Sequence, residues 1–141
     1  MSARGGVLAL DPGEKKCGFA ATDALRIARE PLGVLRHEGD EERLFTHLAG
    51  LLAERSVATL IVGLPVNHDG SLGPRAHAVL GLIERLRGHF PALAIEPWDE
   101  HLTTKEAESR LRALGARVAD LRAERDAWSA LVLLDDWLAS H

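Results

Sequence analysis

The sequence predicts an α/β fold with a mixed five-stranded sheet, and two patterns along the chain indicate it. Three short apolar runs separated by turn residues come first, which is typical of antiparallel strands joined by tight turns. Apolar runs then alternate with segments of helical periodicity, as in strands connected by helices. We therefore expect the order β-β-β-α-β-α-β-α-α, with helices on both faces of one sheet.

The apolar runs give the expected strands. The first two, 7–10 and 17–21, flank a Pro12-Gly13 turn and predict a hairpin, and 31–35 predicts a shorter third strand. Residues 57–62 form a continuous apolar run, which suits a strand that is covered on both faces. A last strand is expected from Leu93 to Trp98.

Four segments predict helices. Asp40 is a good N-cap for a first helix, and Pro74 suits the first position of a second. Thr103 and Glu106 match a capping box, which predicts a third helix to about Gly115. After a polar connector, the last helix is expected over 124–139.

Composition excludes several classes of protein. The chain has 141 residues, 46% of them hydrophobic, so we expect one folded domain over residues 1–141. A net charge of −4 argues against a protein that coats nucleic acid by bulk electrostatics. The single Cys17 cannot form a disulfide framework, and neither a signal peptide nor a membrane span is apparent. A cytoplasmic protein is expected.

Carboxylates stand where predicted elements begin or end. Asp11 ends the first strand, Asp99 and Glu100 end the last strand, and Asp126 falls in the first turn of the predicted last helix. Carboxylates that meet at one edge of a sheet repel one another unless a cation joins them. Oxygen ligands suit Mg²⁺ or Mn²⁺, and such ions activate water for phosphodiester cleavage.

Each acid also has a simpler interpretation. Asp11 before Pro-Gly can cap a turn, and Asp126 near a helix start can stabilise the helix dipole by about 0.3–1 kcal/mol. Asp99 and Glu100 can be solvated. These two are adjacent and point to opposite faces of a strand, so only one is expected to join Asp11, and periodicity does not choose between them.

Four stretches together resemble one family in order and spacing: LALDPGEKKCGFAATD, GLPVNHDGS, WDEHLTTKEA and DAWSALVLLDDWL. They are similar to the YqgF (RuvX) family of pre-16S rRNA nucleases, over almost the whole chain. The resemblance implies an RNase H-like fold and a divalent-metal nuclease that processes the 5′ end of 16S rRNA precursor. Older descriptions of the family proposed cleavage of Holliday junctions in DNA.

By this resemblance Asp11, Glu100 and Asp126 are the catalytic acids and metal ligands, with Glu100 favoured over Asp99. The family usually has Arg after the acidic pair, whereas this chain has His101. Histidine carries little positive charge near pH 7, so we expect it to bind phosphate more weakly than arginine does.

Four residues are candidates for substrate binding. Lys15 lies in the hairpin turn beside Asp11, and Asn67 and Asp69 lie in a loop that resembles the substrate-facing loop of the family. His101 is the fourth. Turn-rich loops use Asn and Asp structurally, and a turn lysine is often merely solvated, so both interpretations stay open.

Four functions remain open from the sequence. The leading hypothesis is a nuclease acting on precursor rRNA in the ribosomal small-subunit particle. The alternatives are a DNA junction resolvase, which needs a symmetric dimer, a nucleotide-binding module, and a non-catalytic ribosome factor. Nothing in the sequence chooses between a monomer and a homodimer.

Overall fold

The computed structural model describes residues 5–99, 109, 113 and 118–141, and for 118–127 it describes the backbone alone. The described elements, in chain order, are β1 (Gly6–Asp11), β2 (Lys16–Thr22), β3 (Arg29–Arg36), α1 (Glu41–Glu54), β4 (Val57–Leu64), α2 (Pro74–His89), β5 (Ala94–Asp99) and α3 (Val118–Ala139). The predicted helix over 103–115 lies almost entirely outside the described residues.

The five strands form one sheet in the order β3-β2-β1-β4-β5. β1, β2 and β3 pair antiparallel, whereas β4 and β5 run parallel to β1. The predicted mixed sheet is therefore confirmed. Its central strand is β1, so the residue that ends β1 lies near the middle of one edge of the sheet.

Helices cover both faces of the sheet, as predicted. On one face α1 and α2 pack against Leu8 and Leu10 of β1. On the other face α3 packs against Val7 and Ala9. The alternation along β1 explains its continuous apolar run, because every residue from Val7 to Leu10 is buried against one helical layer or the other.

Helix starts follow the predicted capping chemistry. Asp40 precedes α1, and its carboxylate oxygen accepts a hydrogen bond from the backbone N–H of Glu42 at 3.0 Å. Pro74 occupies the first turn of α2, where a missing N–H costs nothing. These two helices begin where their sequences predict.

The last helix begins earlier than predicted. α3 starts at Val118, inside the segment expected to be a polar connector, and not near Glu124. Residues 118–124 lack an apolar stripe but contain Ala, Leu, Arg and Glu, which are good helix formers. A helix already nucleated on the sheet extends through such residues at little cost, because each added residue gains a backbone hydrogen bond.

Candidate active site at the end of strand β1

Asp11 is the last residue of β1 and is partly buried. Val7 and Ala9 face α3, so strand alternation places Asp11 on the same face. The first predicted acid therefore stands at the sheet edge, on the side that α3 covers.

Glycines stand beside Asp11 on both neighbouring strands. Asp11 pairs with Gly18 of β2. On the other side Leu10 pairs with Val62, and the next step of this parallel register brings Gly63 beside Asp11. Neither neighbour carries a side chain, so the carboxylate of Asp11 has no strand side chain on either flank.

Contacts made by the described residues of β5 show which of them lie on each face of the sheet. The indole N–H of Trp137 in α3 donates to a Glu96 carboxylate oxygen at 2.7 Å. Trp98 likewise donates to Asp136 at 2.8 Å. Ile95 instead belongs to the core under α1 and α2. Alternation therefore assigns Asp99 to the face opposite that of Asp11, while Glu100 lies outside the described residues.

Asp126 lies within α3, but not in its first turn as predicted. Because α3 begins at Val118, Asp126 follows more than two helical turns after that start. A helix dipole acts on charges mainly within the first turn, so the simpler interpretation of Asp126 as a helix-start charge loses its basis. The side chain of Asp126 is not among those described.

The turn between β1 and β2 is tight. A Cβ atom on Gly13 would stand 2.2 Å from the backbone carbonyl oxygen of Lys16, so only glycine fits there. Lys15 is exposed beside it, where its ammonium group can meet solvent or a phosphate.

The loop that follows β4 has its own hydrogen bonds. One carboxylate oxygen of Asp69 accepts from the Ser71 backbone N–H at 2.9 Å and from the Ser71 hydroxyl at 2.6 Å. These bonds hold the pKa of the exposed Asp69 carboxyl below its ordinary value of 3.8. Asn67 donates through its amide to the Ser71 hydroxyl at 3.0 Å. Both candidate side chains thus make contacts that shape the loop.

Among the residues whose side chains are described, no three acids, histidines or cysteines gather closely enough to hold a metal. Glu100 and His101 lie outside that part, as does the side chain of Asp126. The donor that is described, a carboxylate at the end of a central strand, is of the oxygen type that Mg²⁺ and Mn²⁺ prefer.

Comparison with known proteins decides the family. The RuvX family model, described as Holliday junction resolvase, matches residues 5–140. The chain belongs to the RuvX family. A relative from an Anaeromyxobacter species is 44% identical over 132 residues, covering 93% of this chain and 94% of the relative. A relative from Halalkalibacterium halodurans is 35% identical over 93% of this chain and 94% of its own. Both are provisionally named pre-16S rRNA nucleases.

Solved structures confirm the RNase H-like fold of this RuvX chain. The fowlpox virus resolvase, solved with Holliday junction DNA, aligns with a TM-score of 0.60 and 10% identity. That alignment covers 96% of this chain and 97% of the viral one. Together with the family assignment, the comparisons make the chain a nuclease, a hydrolase that acts on the ester bonds of nucleic acid. No helix in the described part of the chain has the length and apolarity to cross a membrane.

Proposed function

We propose that this chain is a divalent-metal-dependent nuclease that processes the 5′ end of 16S rRNA precursor. The observation that carries the proposal is the 44% identity to a relative of that provisional name across 93% of the chain. In this proposal residues 1–141 are one cytoplasmic nuclease domain, which meets its RNA in the ribosomal small-subunit particle as a monomer or homodimer.

Asp11, Glu100 and Asp126 hold Mg²⁺ or Mn²⁺ in this proposal, and the path of α3 supports the third acid. The guanidinium of Arg26 lies over the Trp137 ring at 5.5 Å and donates to the Gly5 carbonyl at 3.1 Å, which puts Trp137 near the start of β1. Counting back from Trp137 to position 126, α3 rises about 16 Å, and β1 advances about 20 Å from Gly5 to Asp11. The two lengths are similar, which supports a place for residue 126 near the end of β1 in this proposal.

Helical spacing supports the same residue. Ala130, Leu133 and Trp137 of α3 pack on the sheet. Position 126 precedes them by 4, 7 and 11 residues, so it shares their stripe along the helix. This spacing supports Asp126 as the third acid of the proposal.

Strand alternation supports Glu100 as the second acid. Asp99 is assigned to the face of β5 away from Asp11, because Trp98 faces α3. Adjacent residues of an extended strand point to opposite faces, and this alternation in the sequence is the reason why the proposal takes Glu100 and not Asp99.

The chemistry follows from the charges. A divalent ion held by these acids would activate a water and would stabilise the leaving oxygen of the scissile phosphodiester. The chain's own contribution is to hold carboxylates where that ion neutralises their mutual repulsion. Exposed Lys15 then neutralises a substrate phosphate, while His101 adds a weaker contact. Asn67 and Asp69 act on the substrate through the shape of their loop.

A DNA junction resolvase is the second candidate, because the matching family model carries that description. Symmetric junction cutting needs two active sites in a dimer. A chain that stays monomeric at micromolar concentration and leaves a four-way junction intact would exclude it.

The test compares a labelled 16S precursor 5′ leader with a synthetic four-way DNA junction. Each is incubated with Mg²⁺, Mn²⁺ or chelator and with wild type, Asp11→Asn or Asp23→Asn. Asp23 is the matched control, an exposed acid in the turn at the opposite end of the sheet. We expect metal-dependent loss of the RNA leader with wild type and Asp23→Asn only. Cleavage by Asp11→Asn at the wild-type rate would refute the proposed site, and symmetric junction cutting would establish the resolvase.

A further inference from the structure

The turn that follows Asp11 is held by side chains from two other parts of the fold. Arg75, in the first turn of α2, donates through Nη2 to the carbonyl oxygen of Pro12 at 3.0 Å. His37, after β3, has Nε2 at 3.0 Å from the carbonyl oxygen of Gly13. Consecutive carbonyls just beyond Asp11 are therefore each bound by a residue distant in sequence.

The hydrogen bonds of His37 define its tautomer. The backbone N–H of Gly39 donates to Nδ1 at 3.0 Å, so Nδ1 is the acceptor of the ring. Nε2 then carries the hydrogen and donates to the Gly13 carbonyl. The residue is only 6% exposed, so water does not readily replace either bond. One buried ring thus ties the 37–39 segment to the turn.

The segment that presents His37 adopts an uncommon backbone conformation. Glu38 has φ 54° and Gly39 has φ 81°. A non-glycine residue with positive φ is strained, and such strain persists where surrounding contacts impose it. Here the conformation directs the Glu38 N–H to the Lys15 carbonyl at 2.9 Å, which adds a third bond to the turn.

Packing alone does not hold the turn. A cavity of about 260 Å³ lies beside it, lined by Pro12, Gly13, His37 and Arg75 among others. On this side the turn borders empty or solvent-filled space. On this side the turn is therefore restrained by the hydrogen bonds to its carbonyls more than by packing.

We propose that His37 and Arg75 are positioning residues for Asp11: by fixing the Pro12 and Gly13 carbonyls they hold its carboxylate where a divalent cation can bind. The inference rests on the proposed function, because it assigns these residues to the same metal site. Replacing a residue that orients a metal ligand typically lowers the metal affinity by about 10–100-fold. Neither residue was a candidate from the sequence, since no local spacing links positions 37 and 75 to Asp11.

Two substitutions separate the bonds that His37 makes. His37→Gln retains a donor near the position of Nε2, whereas His37→Asn retains only an acceptor near the position of Nδ1. We expect His37→Asn and Arg75→Met each to weaken Mn²⁺ binding by about 10-fold in calorimetry, with His37→Gln close to wild type. Thermal unfolding of every variant is measured in parallel without metal.

Arg85→Met is the matched control. Arg85 lines the same cavity, but its guanidinium pairs with Glu41 of α1 at 2.8 Å and not with a carbonyl of the turn. We expect unchanged Mn²⁺ affinity in this variant. The inference would be overturned if His37→Asn and His37→Gln lost Mn²⁺ affinity equally, or if Arg75→Met and Arg85→Met did. Wild-type Mn²⁺ affinity in Asp11→Asn would instead overturn the proposed metal site itself.

Discussion

The antiparallel half of the sheet has two turns, and they are held in different ways. The β1–β2 turn, residues 12–15, takes hydrogen bonds from the 37–39 segment and from α2. The β2–β3 turn is held mostly by its own residues. Asp23 exchanges backbone bonds with Ala28 and Arg26, and its carboxylate accepts from the Ile27 N–H at 2.8 Å.

Solvent exposure also indicates that the β2–β3 turn has few packing contacts. Leu25 and Ile27, in the β2–β3 turn, are 70% and 76% exposed, so this turn packs on little else. Its conformation depends chiefly on local chemistry, whereas that of the β1–β2 turn depends on contacts with residues 24 and 63 positions away. The β2–β3 turn has a tertiary contact of its own, because Arg26 donates to the Gly5 carbonyl, but the backbone hydrogen bonds described within this turn are made by its own residues.

The largest expected effect comes from Gly13→Ala. The new methyl group would stand 2.2 Å from the Lys16 carbonyl oxygen, so the turn must open and Asp11 must shift. We expect nuclease activity to fall by at least about 100-fold, since a misplacement of about 1 Å can have that effect. Cleavage assays with the RNA leader measure it, and Gly88→Ala, with no atom near the new methyl group, is the control. Activity within a few-fold of wild type would show that the turn tolerates displacement.

Asp23→Ala tests the locally held turn and should have a smaller effect. It removes the carboxylate that accepts from the Ile27 N–H, and the loss should lower the free energy of unfolding by about 1 kcal/mol. Urea unfolding measures this change, and cleavage of the RNA leader should stay at the wild-type rate. A large loss of activity would mean that the β2–β3 turn is coupled to the β1–β2 turn and is not held independently of it.

The double variant Leu25→Ser/Ile27→Ser should change stability still less. Both side chains are mostly in solvent, so little buried apolar area is lost, and the free energy of unfolding should stay within about 0.5 kcal/mol of wild type. Leu8→Ser, at a fully buried position, provides the contrast in the same urea experiment. Strong destabilisation by the double variant would reveal a packing role for this turn.

The smallest effect concerns the loop after β4, a further locally held segment. The pKa of Asp69 is lowered by its bonds from Ser71, so its stabilising effect is present above the ordinary value of 3.8. That effect is lost only as the pH falls through the lower pKa of the folded state. The NMR shift of the Ser71 amide should therefore stay constant from pH 7 to pH 4 and change below that. A midpoint above 3.8 in wild type, or the same titration in Asp69→Asn, would contradict the assignment.

Much of the fold could be predicted from the sequence because its signals are local. The continuous apolar run of β4 predicted burial on both faces, and Asp40 predicted the start of α1. The start of α3 could not be predicted in this way. Its first residues have helical propensity but no apolar stripe, so the hydrophobic pattern gives no signal for a start at Val118.

The candidate site was predictable only in part, for a related reason. Asp11 ends an apolar run, so its position made it a candidate, while the simpler interpretation as a turn cap stayed open until the family resemblance was considered. The sequence did not distinguish Asp99 from Glu100, because the faces of β5 are shown only by contacts between distant elements, such as the bond between Trp98 and Asp136. His37 and Arg75 gave no local signal, because their contacts with the turn arise only when distant elements come together.

The length of α3 has a consequence for how this chain can change in evolution. Its far end is anchored by the bond from Trp137 to Glu96 and by an ion pair between Arg29 and Asp135. One residue inserted between Asp126 and Trp137 would rotate position 126 by about 100° and displace it by about 1.5 Å. If Asp126 is a catalytic acid as proposed, insertions and deletions should be rare in this stretch, because the helix sets the distance between its anchored end and that acid.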